Sequence, residues 1–381
     1  MKKPIISIIG GGIAGLTTAI ALQQKGIQIN IYEAATEVKP VGAGLALSSN
    51  AMRVFDLLGI IDEIIERGRQ MKSFKVLDRQ GKTITQADSE LISKKYGLDN
   101  FLIHRYALHE LLLSKLDPKT IFTNKKANAF GNLGTQVLVS FDDGTSIGSD
   151  YLIVGDGIHS AIRKQLLPNS SPRYSGYTCW RAVMENNKLN ISESSETWGR
   201  NGRFGIAPLA NGELYWFACI NAPQNDPKMK QMKVRDLLEY FKDYHDPIPA
   251  ILKNTRDDQM IWNDIIDLKP LDRYAFEKIV LIGDAGHATT PNLGQGACQA
   301  IEDAFILADE LGKDLDFQSG FKAFEKRRLK RTHFITNTSW QMGKMAQLEN
   351  PLLCAIRNFG LRNLPRRIND KQLEKLFKTD F

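Results

Sequence analysis

The first thirty-three residues constrain the fold most strongly, because they predict a strand, a glycine-rich turn, a helix and a second strand. Residues 5–9 form a short apolar run that is typical of a buried parallel strand. Glycines at positions 10, 12 and 15 follow, and apolar residues then recur at helical spacing up to Gly26. Isoleucines alternate along residues 27–31 into a second strand that ends at Glu33. This order predicts the opening unit of a doubly wound α/β fold.

Each residue type in this unit has a physical reason. The first glycine permits a tight turn, the second lets the backbone approach a pyrophosphate, and the third allows close packing of helix on strand. The helix N-terminus offers free N–H groups to phosphates, and an acid about 20 residues further on accepts a hydrogen bond from a ribose hydroxyl. The unit therefore predicts a bound dinucleotide, either FAD or NAD. The residues predicted to contact it here are Gly10, Gly12, Ile13, Ala14, Gly15, Glu33 and Ala34.

The composition is that of an ordinary globular protein with room for two domains. The chain has 381 residues, of which 43% are hydrophobic and 24% are charged. Its apolar runs are far shorter than the roughly 20 residues that cross a bilayer, so we expect a cytoplasmic location and no integral membrane segment. The cysteines Cys179, Cys219, Cys298 and Cys354 are scattered, which predicts neither a disulfide framework nor a metal site.

The net charge of +7 favours anionic partners. The densest basic run, residues 326–331, has no interleaved aromatic residues, so it favours a solvated helix face over a nucleic-acid contact. We therefore expect a small-molecule substrate, no nucleic-acid partner, and a monomer or homodimer.

Two further strand-plus-glycine units occur at residues 151–157 and 279–284. Between them, residues 174–272 favour antiparallel strands, because aromatic and alternating segments are separated by proline-containing loops. The sequence thus predicts a nucleotide-binding domain built from residues 1–71, 101–173 and 273–340. A mainly β substrate domain comprises residues 72–100 and 174–272, and a helical C-terminal segment comprises residues 341–381.

Four segments together resemble the para-hydroxybenzoate hydroxylase-like, single-component flavoprotein monooxygenases. They are Gly155-Asp156-Gly157 with Ser160 and Arg163; Gly283-Asp284-Ala285 with His287, Pro291 and Gly294-Gln295-Gly296; His104-Arg105; and Gly42-Ala43-Gly44-Leu45. Residues 174–177 and 203–217 are most similar to the salicylate, 3-hydroxybenzoate and urate hydroxylases and zeaxanthin epoxidase. The fold class implied is α/β, with a Rossmann-like FAD-binding domain of the GR2 type, an inserted mainly β-sheet substrate domain and C-terminal helices.

The resemblance implies further contacts to FAD. Asp284 would accept a hydrogen bond from the ribityl chain or cap the helix that follows, and Arg105 would reach the phosphates or ribityl chain or form a structural ion pair. Arg163 would bind cofactor or pair with Asp156. The free N–H groups at the 294–296 turn would face the flavin pyrimidine edge. The additional positions predicted to contact cofactor are Gly44, Leu45, Arg105, Asp156, Arg163, Asp284, Pro291, Gly294, Gln295, Gly296 and Ala297.

The substrate pocket is predicted from residue type and resemblance together. Arg203 is a candidate for binding a carboxylate or a urate-like anion, and Tyr177, Tyr215 and Trp216 are candidates for holding a planar ring. Aromatic residues on strands are also common in cores. His287 is predicted to order its loop rather than to act as a base, and no catalytic side chain is assigned.

The activity implied is that of an FAD-dependent monooxygenase. NADH or NADPH would reduce FAD, and O2 would then form a flavin C4a-hydroperoxide that hydroxylates or epoxidises a small aromatic or planar substrate. The alternative is a reductase of the same superfamily without oxygen insertion. The C-terminal segment, residues 351–367, either packs on the FAD domain, forms an oligomer contact or lies on a membrane surface.

Overall fold

The computed structural model describes residues 4–37, 43–88, 98–132, 134–313, 316–365, 374–379 and 381, so the predicted contact segment at Gly42 lies outside them. The strands are β1 (Ile6–Ile9), β2 (Ile29–Tyr32), β3 (Gly44–Leu47), β4 (Gly68–Gln70), β5 (Ser73–Asp78), β6 (Thr83–Asp88), β7 (Phe101–His104), β8 (Ile121–Phe122), β9 (Ala127–Asn132), β10 (Val137–Phe141), β11 (Ser146–Ser149), β12 (Tyr151–Val154), β13 (Arg173–Glu185), β14 (Ser194–Gly199), β15 (Gly202–Pro208), β16 (Glu213–Asn221), β17 (Ile261–Asp267), β18 (Ala275–Phe276) and β19 (Ile279–Leu281).

The helices are α1 (Ile13–Gln24), α2 (Ser49–Leu57), α3 (Ile61–Arg67), α4 (Arg105–Ser114), α5 (Ala161–Leu166), α6 (Pro227–Gln231), α7 (Val234–Phe241), α8 (Ile248–Lys253), α9 (Asp284–His287), α10 (Gly296–Leu311), α11 (Phe317–Ala346) and α12 (Pro351–Arg362). Short 3-10 turns lie at Pro118–Thr120, Asp257–Gln259 and Pro291–Leu293.

A six-stranded sheet organises the first part of the fold, in the order β18-β19-β12-β1-β2-β8. Strand β1 is central and pairs in parallel with both β12 and β2, and β12 pairs in parallel with β19. Every residue of β1, β12 and β19 except Tyr151 is buried, which explains why these strands are apolar runs rather than alternating ones. The strands predicted at these places are confirmed.

A seven-stranded sheet, in the order β17-β13-β16-β15-β14-β5-β6, forms the second part. Its long strands β13, β16 and β15 are antiparallel, as predicted from the alternating aromatic segments. One face, here called the helix face, packs on α7 and α8 through Trp180, Phe204 and Trp216. The opposite face, here called the active-site face, carries Tyr177, Cys179 and Cys219.

The strands of each sheet come from separated chain segments. Residues 73–88 supply β5 and β6 to the seven-stranded sheet, which supports the assignment of residues 72–100 to the substrate domain, although residues 89–97 lie outside the described part. The predicted boundary at residue 340 falls inside the continuous helix α11, so we move it to the end of that helix. With this change, the division into domains remains our proposal.

Among the described residues, none of the helices is both long enough and apolar enough to cross a membrane.

Candidate active site

Three glycine turns meet at one edge of the parallel sheet. They follow β1, β12 and β19, which lie side by side, and parallel neighbours end at the same edge. The turns are joined by backbone hydrogen bonds: Gly155 donates to the carbonyl of Ile9 at 2.7 Å, and Ile282 donates to that of Val154 at 2.9 Å. Segments more than 100 residues apart in sequence therefore form a single cleft.

The first turn has the geometry that its glycines predict. Gly10 has a φ of +103°, and a Cβ there would overlap the carbonyl of Gly155 in the neighbouring turn. A Cβ at Gly15 would overlap the carbonyl of Gly10, so only glycine lets α1 approach β1 this closely. A Cβ at Gly12 would meet no atom within 4 Å, which leaves open space in front of the helix N-terminus. A phosphate fits this space.

Glu33 closes the same turn from the end of β2. Its carboxylate accepts hydrogen bonds from the backbone N–H groups of Gly11 at 2.5 Å and Ala35 at 2.8 Å. Ile13 and Ala14 are buried in the first turn of α1, whereas Ala34 is exposed beside Glu33.

Asp284 and Arg105 approach the cleft from opposite sides. The Asp284 side chain is accessible from the cleft but otherwise surrounded by protein, which raises the pKa of its carboxyl group, and the charges of His287 and Arg105 partly offset this rise. Arg105, at the start of α4, is exposed and forms no ion pair with any described residue. An accessible acceptor and a cation thus adjoin the space predicted for FAD, and within the described part of the chain the structural ion pair considered for Arg105 is not formed.

Asp156 and Arg163 differ in how far the protein supplies hydrogen-bond partners for their side chains. Burial raises the pKa of Asp156 to about 6, and its Oδ1 is buried without a hydrogen-bond partner among the described residues. Arg163 is buried and donates to the carbonyls of Ala285 at 3.2 Å and Ile158 at 2.5 Å. We therefore correct the assignment of Arg163 as a cofactor ligand: its guanidinium joins two turns of the cleft, and it lies outside ion-pair distance of Asp156.

The turn at residues 291–297 presents backbone to the cleft. Pro291 and Gly294 are exposed, Gly296 and Ala297 are half-buried, and the first N–H groups of α10 have no partner within the helix. The Gln295 side chain instead points into the protein, where it accepts a hydrogen bond from Asn50 at 3.0 Å and donates to Ser48 at 3.1 Å.

A buried cluster of charges supports this turn from behind. Arg328 of α11 is fully buried and donates to Asp303 at 2.6 Å and to Glu302 at 2.5 Å. Asp303 also accepts from the backbone N–H of Gly283 at 2.7 Å and bonds His287 Nε2 at 2.6 Å. The predicted role of His287 in loop ordering is confirmed. The prediction that the run at residues 326–331 is a solvated face is wrong for Arg328, because Arg328 points into the core.

The active-site face of the seven-stranded sheet meets the predicted flavin position at two points. The Tyr215 ring lies against Gly44, at the start of β3, so closely that a Cβ at Gly44 would overlap the ring. Leu45 follows in the same strand. The Tyr177 hydroxyl donates to Asn292 Oδ1 at 3.1 Å, two residues before Gly294. Tyr177 and Tyr215 are therefore placed beside segments that the sequence predicts to contact the cofactor.

Arg203 also lies on the active-site face, but its charge is already paired with that of a buried carboxylate. Its guanidinium is 5.1 Å from the Tyr177 ring centroid, donates to Glu196 at 3.0 Å and donates to Gln347 at 2.9 Å. Burial lowers the pKa of Arg203 and the Glu196 carboxylate raises it; the net shift is upward, so the guanidinium remains charged. Glu196, Gln347 and Asn292 were not foreseen from the sequence.

Trp216 lies on the other side of the sheet. It is fully buried on the helix face, stacks on Phe204 with ring centroids 5.3 Å apart, and donates from Nε1 to Thr255 at 3.0 Å. We therefore correct its assignment from the substrate pocket to the core.

The cleft fits FAD. It combines the open space before Gly12, the Asp156 Oδ1 that has no partner in the described part of the chain, the accessible carboxylate of Asp284 and the N–H groups of α10 that have no partner within the helix. The family model described as FAD binding domain matches residues 3–338. The chain belongs to this family. The family predicted from the motifs is confirmed, and FAD is its cofactor.

The Aurachin C monooxygenase/isomerase of Stigmatella aurantiaca is 34% identical over 353 residues, covering 92% of each chain. The 2-heptyl-3-hydroxy-4(1H)-quinolone synthase of Pseudomonas aeruginosa strain UCBPP-PA14 is 30% identical, covering 98% of this chain and 97% of that one. The crystal structure of Klebsiella pneumoniae HpxO complexed with FAD and uric acid has a TM-score of 0.91 at 26% identity, covering 98% and 96%. This FAD-binding-domain protein is an oxidoreductase of the monooxygenase class.

Proposed function

We propose that this flavoprotein uses NADH or NADPH and O2 to hydroxylate an uncharged, planar, aromatic molecule of the 4-quinolone type. FAD, when bound, supplies the redox chemistry by accepting a hydride and activating O2. The named relatives include monooxygenases and hydroxylases rather than reductases, which supports oxygen insertion over the alternative considered above.

The observation that carries the substrate class is the buried ion pair between Arg203 and Glu196. A guanidinium that recognises a substrate carboxylate offers it an uncompensated positive charge, whereas the charge of Arg203 is already paired with Glu196, and its Nε already donates to Gln347. A neutral ring needs no counter-charge and gains stabilisation from stacking on aromatic side chains. The synthase relative from Pseudomonas aeruginosa is named for a quinolone, which is such a ring.

The role of the chain's own residues is to bind the substrate and to orient it. Burial raises the pKa values of Tyr177 and Tyr215 above the ordinary value for tyrosine, so both phenols stay protonated near neutral pH and neither acts as a base. The Tyr177 hydroxyl is oriented by Asn292. Tyr215 lies against Gly44 and forms a wall next to the predicted ring of the cofactor.

The test is substrate-dependent NADH and NADPH oxidation by the holoenzyme, followed together with peroxide release. 2-Heptyl-4(1H)-quinolone should stimulate oxidation without equivalent peroxide and should yield a product one oxygen heavier. Urate and 3-amino-4-hydroxybenzoate, which suit other relatives, should do neither. Coupled turnover of either of these two compounds, with none of the quinolone, would refute the proposed class.

We further propose a cytoplasmic location and a monomeric or homodimeric state. Size-exclusion chromatography with light scattering checks the second proposal directly.

A further inference from the structure

The helix α12 exposes an apolar face. Leu352 is 68% exposed, Leu353 47%, Ile356 58% and Phe359 71%, and these positions lie on one side of the helix because they are spaced by one, three and three residues. Leu364, just beyond the helix, is 37% exposed. Five of the large exposed apolar side chains are thus concentrated on one solvent-facing surface, which marks an interaction site.

Basic residues flank this face. The segment from Asn350 to Leu364 has no acidic residue, although the exposed Glu349 directly precedes it; of its two arginines, Arg362 is exposed and Arg357 is buried beneath the helix. Arg79 and Arg200 line a cavity of about 380 Å³ under the helix. The acidic side chain among the residues that line this cavity is Asp78, which accepts a hydrogen bond from Arg362 at 2.5 Å. The surroundings of the apolar face therefore carry a net positive charge.

Size and charge favour a lipid surface over a second copy of the chain. A patch of five apolar side chains is on the order of 500 Å², whereas a stable protein interface buries about 800 Å² on each partner. A symmetric dimer through this helix would also bring the flanking arginines of both copies together. Anionic headgroups complement the arginines, and the acyl region accepts the leucine, isoleucine and phenylalanine side chains.

We propose that α12 is an interfacial helix that docks this protein on an anionic phospholipid surface. The helix lies in the plane of the headgroups, with Ile356 and Phe359 inserted and with the exposed Arg200 and Arg362 beside the helix contacting phosphates. Docking of this kind goes beyond the proposed function. It brings the enzyme to the membrane, in which a quinolone with an alkyl chain, such as the 2-heptyl compound named above, dissolves.

The test is co-sedimentation of the FAD-bound enzyme with vesicles of equal parts phosphatidylcholine and phosphatidylglycerol, and with vesicles of phosphatidylcholine alone. We expect binding to the mixed vesicles that weakens as salt is added. The double variant Ile356→Ser/Phe359→Ser should bind at least about tenfold more weakly, because two inserted apolar side chains are lost. The matched control Leu57→Ser/Ile65→Ser removes two exposed apolar residues on α2 and α3, and it should bind as the parent does.

Flavin content and NAD(P)H oxidation in solution should be unchanged in both double variants, which shows that they fold. Equal vesicle binding by the α12 variant and the parent would overturn the proposal, and so would failure of the parent to bind. A parent dimer that dissociates in the α12 variant, seen by analytical ultracentrifugation, would assign the face to self-association instead. The vesicle assay contains no substrate, so its result is independent of the proposed function.

Discussion

Replacing Arg328 by methionine tests whether the buried charge cluster holds the cofactor turn. Arg328 donates to Asp303, to Glu302, and to the backbone carbonyl and side-chain oxygen of Gln299, and the residue is fully buried. Methionine has a similar length and no charge. The variant leaves two buried carboxylates without this partner, and breaking a buried ion pair from one side costs about 3–5 kcal/mol.

The remaining contacts place the expected loss in the lower half of that range. Glu302 keeps Arg331, which donates to both of its oxygens at 2.5 Å, and Asp303 keeps His287 and the Gly283 N–H. We therefore expect Arg328→Met to lower the free energy of unfolding by about 3 kcal/mol at pH 7. Lys330→Met is the matched control, since this exposed lysine belongs to the same basic run; a surface change of this kind costs at most about 0.5 kcal/mol.

The effect also has a defined pH dependence. Burial raises the pKa values of Glu302 and Asp303, but the neighbouring positive charges outweigh this and hold both below their ordinary values. Carboxylates with lowered pKa values stabilise the fold above the unfolded-state pKa of about 4, and this contribution disappears as the pH falls through their folded values. The difference between parent and variant should therefore be full at pH 7 and shrink below pH 4. Urea unfolding followed by circular dichroism measures it; equal stability of Arg328→Met and Lys330→Met at pH 7 would refute the reasoning.

Three further changes test the cleft. Gly15→Val should abolish FAD binding, because its side chain would overlap the Gly10 carbonyl, whereas Gly360→Ala, where a Cβ meets nothing within 4 Å, should retain full flavin content by absorbance. Asp284→Asn should weaken FAD binding about 10- to 100-fold in a fluorescence titration, since a charged acceptor is worth roughly 1.5–3 kcal/mol; unchanged affinity would remove Asp284 from the site. Asp156→Asn should stabilise the protein above pH 7, by at most about 3 kcal/mol, because the raised pKa of about 6 penalises the ionised form; the gain should fade as the pH drops from 6 to 4, and a gain independent of pH would contradict this.

The cofactor half of the molecule was predictable because its signals are local. A buried strand, a glycine at the turn and a helix follow one another within fifteen residues, and geometry that depends on nearest neighbours is encoded there. The overlap that a side chain at Gly15 would have with Gly10 is such a case. Arg163 shows the limit. The motif correctly placed it at the cleft, but the carbonyl of Ala285 that it binds is 122 residues away in sequence.

The substrate half was predicted less well, and part of the error was avoidable. Tyr215 and Trp216 are consecutive residues in one strand, and successive side chains in a strand point to opposite faces. Both residues were nevertheless assigned to the pocket. The alternation required one of them to leave it, and the structure shows that Trp216 does. Which of the two faces the cofactor depends on how the sheet docks, and this is not a local property.

The pairing of Arg203 with Glu196 could not be predicted from the sequence, for a different reason. Glu196 lies only seven residues before Arg203, but the two meet because β14 turns back on β15 in a register that pairs Trp198 with Arg203. A shift of one residue would move Glu196 to the other face. In that register, a substrate carboxylate placed beside Arg203 would also lie close to Glu196, in a region of low dielectric where the two negative charges repel strongly. Such a ligand must displace Glu196 or bring its own proton, whereas a neutral ring binds with the ion pair intact.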